Sequence, residues 1–285
     1  MKFNICIIKP NNYVHADAYW ELAELLAYSL RDLGYETSIN INEIETKSQN
    51  IIFGCHLLSD SEYGVITNKN IYYPTIIFNT EQLYLENNTW TNRIFKLQKD
   101  FRIWDYNIKN IERLNKEGFF NTSLFEIGYH KKLERIQKQK QKNIDVLMYG
   151  SMNERRKKIV DGLKEQKLNV KVLFGVYGAQ RDEYISRSKI VLNIHFYNSQ
   201  LFEIVRVHYL LNNKIPVICE MNSSTQIDPW WSERIFGVDY SNLVDQCLMT
   251  IENTEKIENF TLSSYNRLKE KKQTEIISNL LQQHN

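Results

Sequence analysis

Apolar and polar positions alternate between two rhythms along the chain. Compact runs rich in β-branched and aromatic residues, such as Phe3–Ile8, are followed by longer stretches with apolar positions three and four apart. Ala16–Leu33 is the clearest of these, with Trp20, Leu22, Leu25, Leu26 and Leu30 on one face and Gly34 as a stop. Further strands are predicted at Thr37–Ile41, Ile51–Cys55, Thr75–Phe78, Phe101–Trp104 and Leu124–Ile127, with helices at Thr89–Gln98 and Asn107–Lys116. Strands interleaved with helices predict parallel sheets with crossover connections, not a sandwich or a bundle.

From Lys131 to Asn143 the run KKLERIQKQKQKN lacks an apolar stripe and reads as an exposed connection. The rhythm then restarts: strands at Ile144–Tyr149, Val170–Phe174, Ile190–Ile194 and Ile215–Cys219, helices at Asn153–Gln166, Arg181–Arg187 and Phe202–Asn212. From Asn242 to the end the pattern is helical, with Leu243, Val244, Cys247 and Leu248 inward and a Lys-rich stretch at Lys269–Lys272. The expected organisation is α/β: a Rossmann-like domain over 1–135, a linker over 136–143, and a second Rossmann-like domain with terminal helices over 144–285.

A length of 285 residues suits two such domains. Lys and Arg number 36 against 34 Asp and Glu, a net charge of +2, which argues against coating nucleic acid through bulk charge. An anionic ligand has to be held locally. Cys6, Cys55, Cys219 and Cys247 are widely spaced without a C-x-x-C pair, as suits buried thiols in a reducing compartment. The apolar N-terminal run is interrupted by Asn4 and ended by Lys9-Pro10, unlike a secretory signal, and no run reaches the ~18 apolar residues of a membrane span. A cytoplasmic protein is expected.

In open α/β sheets ligands bind beyond the carboxyl ends of the strands, so chemistry is sought there. After Tyr149 comes Gly150-Ser151-Met152-Asn153-Glu154-Arg155-Arg156, a turn that lets backbone approach a ligand and a helix start whose free N–H groups suit a phosphate. Arg155 or Arg156 would add charge-assisted hydrogen bonds; solvated arginines on a plain strand–turn–helix fit equally. After Phe174, Gly175 and Gly178 bracket Tyr177, which suits a ring over a flat base and also an ordinary loop. In LNIHFYNSQLFEIVRVHYLLNNKIPVICE, from Leu192 to Glu220, a strand ends at His195 and a helix opens with Glu203 and Arg206. A carboxylate at a helix N-terminus stays ionised and accepts from both hydroxyls of a ribose; an i, i+3 pair that merely supports the helix end has the same spacing.

In the first half, His15 and Asp17 open a helix after the first strand and Glu81 follows the Thr75–Phe78 strand. Each is a candidate base or positioning group, and His15 also fits as an N-cap partner or surface histidine. Asp105, at the end of another strand after Trp104, suits substrate contact or capping of the helix from Asn107.

The Glu203 helix followed by Ile215-Pro216-Val217-Ile218 resembles the E-A-x-x-x-G-x-P-V-I element of GT-B glycosyltransferases. DVLMYGSMNERRKKI from Asp145, LFGVYGAQRDEYISRSKIVLNIHFY from Leu173 and FEIVRVHYLL from Phe202 resemble a bacterial and viral branch, phage members included, related to group 1 and spore-coat CgeB-like glycosyltransferases. IIFNTEQL (Ile76–Leu83), IWDYNIKNIERL (Ile103–Leu114) and IGYHKKLE (Ile127–Glu134) look like N-terminal-domain motifs of the same proteins. The resemblance implies the GT-B fold, with two Rossmann-like domains facing across a cleft, and transfer of a sugar from a nucleotide-diphosphate sugar to an acceptor hydroxyl.

On the donor side it implies Gly150, Ser151, Arg155, Lys189 and Arg206 around the diphosphate, Tyr177 and Gly178 near the base and Glu203 on the ribose. His195, His15 and Glu81 form the implied catalytic set, and Asp17, Trp104, Asp105 and Tyr129 the acceptor side. No cofactor or metal is implied beyond the nucleotide-sugar substrate; the acceptors of such proteins are surface glycans, proteins or, in phages, modified DNA bases. Two departures stand out. His195 occupies the place of the first glutamate of the E-x7-E pattern, so retaining and inverting outcomes both stay open, as does a non-catalytic nucleotide-sugar-binding module of the same fold. Asn212-Asn213-Lys214 replaces a glycine turn, and asparagine tolerates the left-handed C-cap. A dehydrogenase is disfavoured because Lys9-Pro10-Asn11-Asn12 stands where G-x-G-x-x-G would follow the first strand.

Overall fold

The computed structural model describes residues 1–67, 71, 73–83, 89–99, 101–197 and 200–282; the predicted helical tail thus has its last three residues, 283–285, outside the described part. The chain divides into two compact units, Met1–His130 with Lys271–Asn285, and Lys131–Glu270.

Unit 1 holds β1 (Lys2–Ile7), α1 (Trp20–Asp32), β2 (Glu36–Ile41), β3 (Gln49–Phe53), α2 (Asp60–Ile66), β4 (Ile76–Asn79), α3 (Thr89–Gln98), β5 (Arg102–Asp105), α4 (Ile108–Lys116) and β6 (Thr122–Leu124). The strands pair in parallel in the order β2-β1-β3-β4-β5-β6. Both faces of β1 are covered, which is why it reads as a continuous apolar run and not as an alternation. On one face Phe53 stacks on Phe78 at 4.4 Å and Phe78 meets Phe125 edge-on at 4.7 Å. On the other, Cys6, Ile8, Ile52 and Ile77 join one buried cluster with Leu58 and Ile66. Asn4, which breaks the apolar run, is buried; its amide donates to Glu43 O and Asn50 Oδ1 and so ties the loop before β3 to the sheet.

Unit 2 holds β7 (Ile144–Tyr149), α5 (Glu154–Glu165), β8 (Val170–Leu173), α6 (Gly178–Ser186), β9 (Ser188–Asn193), α7 (Ile204–Asn212), β10 (Val217–Glu220), α8 (Pro229–Ser232), β11 (Phe236–Val238), α9 (Leu243–Glu252) and α10 (Glu255–Glu270). Its strands are also all parallel, in the order β11-β10-β9-β7-β8. Val146, Met148, Ile190, Leu192 and Ile218 of the sheet pack against Ile159, Leu163, Leu243 and Cys247 of α5 and α9. In each unit the strand order reverses beside the first strand, between β1 and β3 and between β7 and β9. Loops leaving two such strands part to opposite sides and open a crevice at their carboxyl ends.

Three local readings are corrected. The strand expected at Leu124–Ile127 is shorter and earlier, and β11, too short and mixed for the apolar pattern to reveal, was not foreseen. The turn after α7 is left-handed at Lys214 (φ 57°), not at an asparagine. Ile215 N donates to Leu210 O and Lys214 N to Leu211 O, a Schellman closure. Asn213 is used differently: its Oδ1 accepts from the backbone N–H groups of Arg135 and Ile136, pinning the start of the lysine-rich segment. All four cysteines are free and buried, and burial pushes Cys55 and Cys247 up to about 12.

The last helix, α11 (Gln273–Gln282), belongs to unit 1, whereas the polar tail was expected to end the second domain. Its anchor is Gln273, wholly buried, which accepts from Gly128 N at 2.5 Å and donates to Glu126 O at 3.0 Å. Tyr129 N donates to Lys271 O and Gln273 N to Tyr129 O, so Tyr129, expected on the acceptor side, serves here as a backbone clasp.

Candidate functional site

The switch point of unit 2 lies between the ends of β7 and β9, and an arginine bridges it. Arg156, in the first turn of α5, is 3% exposed; its Nε donates to Ile194 O at 3.0 Å and its Nη1 to Ser151 O at 2.8 Å. Asn153 places it there, since its side chain accepts from Arg156 N and caps the helix. Gly150 is in the left-handed region (φ 121°), and a Cβ on it would lie 3.0 Å from Nη2 of Arg206 and 3.3 Å from Nη1 of Arg156. Glycine thus leaves two guanidiniums facing bare backbone. Burial and the charge of Arg206 push Arg156 down to about 10, so it remains a cation at neutral pH.

Glu203 is the N-cap residue of α7, yet its side chain makes no cap. It turns toward β9 instead, where Oε2 lies 3.0 Å from Nδ1 of His195 and accepts from Asn193 Nδ2 at 3.0 Å. Burial pushes its carboxyl upward, but the hydrogen bond from His195, the charge of Arg206 and the amide of Asn193 outweigh it and hold the group below the ordinary carboxylate range. Among the described residues Oε1 has only Arg156, 3.9 Å away. Arg206 donates from Nη1 to Asn193 Oδ1 at 2.9 Å and lies over the Tyr149 ring at 5.0 Å.

Several expected donor residues sit otherwise than expected. Arg155 is committed to Glu220, the wholly buried last residue of β10: both guanidinium nitrogens donate to its two carboxylate oxygens, and Arg155 also lies 4.0 Å over the Tyr240 ring. Arg155 is thus paired within the protein, whereas the guanidinium of its neighbour Arg156 faces the bare backbone of Gly150. Lys189 lies at the opposite end of the sheet, near the start of β9, paired with Asp145 at 2.7 Å. His195, expected in the catalytic set near the sugar or the diphosphate, is 1% exposed with both ring nitrogens engaged. Ser151 is exposed at the end of β7, and Tyr177 and Gly178 open α6 beyond β8, with Gly178 left-handed (φ 55°). Arg155, Arg156 and Arg206 face Glu203 and Glu220 here, which leaves one positive charge in excess.

In unit 1, Glu81 follows β4 and His56 follows β3, with His56 Nε2 3.4 Å from Glu81 Oε1. Burial pushes Glu81 above the ordinary carboxylate range even though about a third of its side chain (34%) is open, and pushes His56 down to about 4. His15 is half-buried, edge-on to Tyr13 at 5.5 Å, and Asp17 accepts from Lys9 Nζ at 2.6 Å and Trp20 Nε1 at 3.3 Å.

Trp104 and Asp105 are fully buried, so neither presents itself to an acceptor. Asp105 is instead the anchor of the Glu81 loop. It accepts from Asn79 Nδ2 at 2.6 Å, Asn110 Nδ2 at 3.1 Å and Asn107 N at 2.8 Å, while both amides also donate to Glu81 O. Burial outweighs these three donors and pushes Asp105 up to about 7. A carboxyl raised above its unfolded value binds its proton more tightly in the folded state. Its stabilising contribution is therefore complete below about pH 4 and lost as pH rises through about 7. Unfolding free energy measured from pH 4 to 8 is expected to carry this downward component, and Asp105→Asn to remove it; an identical slope in the variant would refute the assignment.

Asn193, Glu220, Thr225 and His56 complete these sites beyond the residues singled out from the sequence. Asn193 and Glu220 were visible as polar ends of apolar strands and His56 as the residue following one; nothing local marked Thr225.

Two Rossmann-like units of this topology define the GT-B fold. No protein-family model matches the chain. Among curated proteins it is 28% identical over 190 residues to uncharacterized protein L140 of Acanthamoeba polyphaga mimivirus, covering 64% of this chain and 60% of that one. It is also 28% identical over 189 residues to uncharacterized protein L137 of the same virus, covering 64% and 24%. The match thus spans less than two thirds of either relative. Among solved structures, Anabaena HepE in complex with UDP and glucose is similar at a TM-score of 0.61 and 12% identity, over 99% of both chains. The DNA modifying enzyme β-glucosyltransferase is similar at 0.61 and 13%, over 98% of both. WaaG, a glycosyltransferase involved in lipopolysaccharide biosynthesis, is similar at 0.61 and 10%, over 98% of both.

Proposed function

We propose that this chain is a glycosyltransferase that moves a sugar from a nucleotide-diphosphate sugar to an acceptor hydroxyl, with unit 2 holding the donor. The carrying observation is the juxtaposition at the β7/β9 switch point: bare backbone at Gly150 under the guanidiniums of Arg156 and Arg206, beside the ionised Glu203. Two cations that repel each other over a glycine floor are relieved by a bound dianion, and the N–H groups opening α5 point the same way. As the bond from the anomeric carbon to the diphosphate breaks, these groups stabilise the charge that gathers on the leaving oxygen. Glu203 accepts from the ribose hydroxyls through its less engaged Oε1.

Unit 1 supplies the acceptor side. Glu81 is the preferred base for the acceptor hydroxyl, because burial moves its carboxyl toward the operating pH and the Asp105 network holds its backbone. A surface glycan, a protein or a modified DNA base is the acceptor class; similarity in fold to β-glucosyltransferase keeps the DNA base among them.

Incubation with UDP-, GDP-, ADP- and TDP-sugars is expected to release nucleotide from one of them. Glu203→Gln is expected to weaken that donor about 10- to 100-fold, the worth of hydrogen bonds to a charged acceptor. Binding without release or transfer would favour a non-catalytic nucleotide-sugar-binding module, and unchanged donor affinity in the variant would remove Glu203 from the site.

A further inference from the structure

Glu203 owes its direction to a chain of groups that reaches away from the ligand. Thr225, in the loop after β10, accepts from Asn222 N at 3.1 Å through Oγ1. The same oxygen lies 3.3 Å from Nε2 of His195, whose Nδ1 lies 3.0 Å from Oε2 of Glu203. The hydroxyl has one proton, and Nε2 is the acceptor within its reach among the described residues. Using it leaves the ring's own proton on Nδ1, where it is donated to the carboxylate. Asn193 donates to the same Oε2. Oε2 is thereby saturated from behind, and the carboxylate can rotate only by giving up two hydrogen bonds in a site where His195 is 1% exposed.

We propose that Thr225 and His195 are positioning residues that orient Glu203 and thereby set selectivity for a ribonucleotide over a 2′-deoxyribonucleotide. This rests on the donor reading of unit 2. Neither residue touches the ligand: Thr225 fixes the tautomer of His195, and His195 fixes which oxygen of Glu203 faces the sugar hydroxyls. With the relay broken, the carboxylate turns, and the hydrogen bond to the 2′-hydroxyl is lost while the contacts of Arg156 and Arg206 with the diphosphate stay.

The test is calorimetric binding of UDP, ADP and GDP and of dUDP, dADP and dGDP to the full chain, in the native protein, Thr225→Val and Thr225→Ser. The native protein is expected to prefer one ribonucleotide over its deoxy counterpart by tenfold or more, about 1.4 kcal/mol. Thr225→Val is expected to bring that ratio close to one by weakening the ribonucleotide alone, and Thr225→Ser, which keeps the hydroxyl, to restore it. A ratio that survives in Thr225→Val overturns the relay and leaves the donor site standing. Equal binding of ribo- and deoxyribonucleotide by the native protein removes Glu203 from the ribose, and with it both readings of that residue. Absence of binding by all six nucleotides overturns the donor site itself.

Discussion

Arg155→Met is expected to lower the unfolding free energy by about 3–5 kcal/mol, the usual loss when a buried charge is left without its partner. Glu220 is wholly buried at the end of β10, and the fork of Arg155 supplies two of its hydrogen bonds; among the described residues what remains is the backbone N–H of His195 at 3.1 Å. The effect is directional. Glu220→Gln is expected to cost less, because the Arg155 side chain is 30% exposed and regains water when released. Urea denaturation of the two variants measures the asymmetry. A phosphate ligand at residue 155 would behave in the opposite way: methionine there would weaken nucleotide binding at unchanged stability, and that outcome would reinstate Arg155 as a donor residue.

Gly128→Ala is expected to destabilise unit 1 by about 3 kcal/mol, the upper end of ordinary overpacking costs. Its Cβ would stand 2.3 Å from Lys271 O and 2.7 Å from a methyl of Ile276, and the first neighbour is backbone already hydrogen-bonded to Tyr129 N. The Ile276 methyl can rotate away, but the carbonyl of Lys271, with Gln273 N a further 3.3 Å neighbour, cannot. Relief requires the segment leading into α11 to move, which also breaks the Gly128 N–H bond to Gln273. Thermal unfolding should shift by several degrees, and proteolytic cleavage near residue 271 should accelerate. A native melting curve together with native protease resistance would mean that α11 is not clasped at Gly128.

Most of the architecture was legible in the sequence, because strand and helix periodicity record a local fact, which side of each residue is covered. The alternating rhythm revealed nearly every strand and helix, and strand ends marked Gly150, Glu81 and the Glu203 helix. Residues whose role depends on a partner far along the chain were a different matter. Arg155 and Arg156 are adjacent and chemically identical, and only the approach of β10, about 65 residues on, gives one to Glu220 and leaves the other beside Gly150. Lys189 read as a phosphate ligand until the parallel register placed it near Asp145 at the opposite sheet end. His195 and Thr225 lie 30 residues apart and acquire a relay only because the loops after β9 and β10 close on each other, with Leu201 bridging to Gln226.

The last helix shows the same division. Its amphipathic pattern was plain, but a covered face does not say which surface covers it. That choice was made by Gly128, where the missing side chain lets residue 271 approach, and by one buried glutamine. The sequence by itself determined the alternation of strand and helix and the strand ends at which polar chemistry could collect. The tertiary structure alone decided which charges neutralise each other and which remain for a ligand, because pairing energies depend on distances that no local pattern encodes.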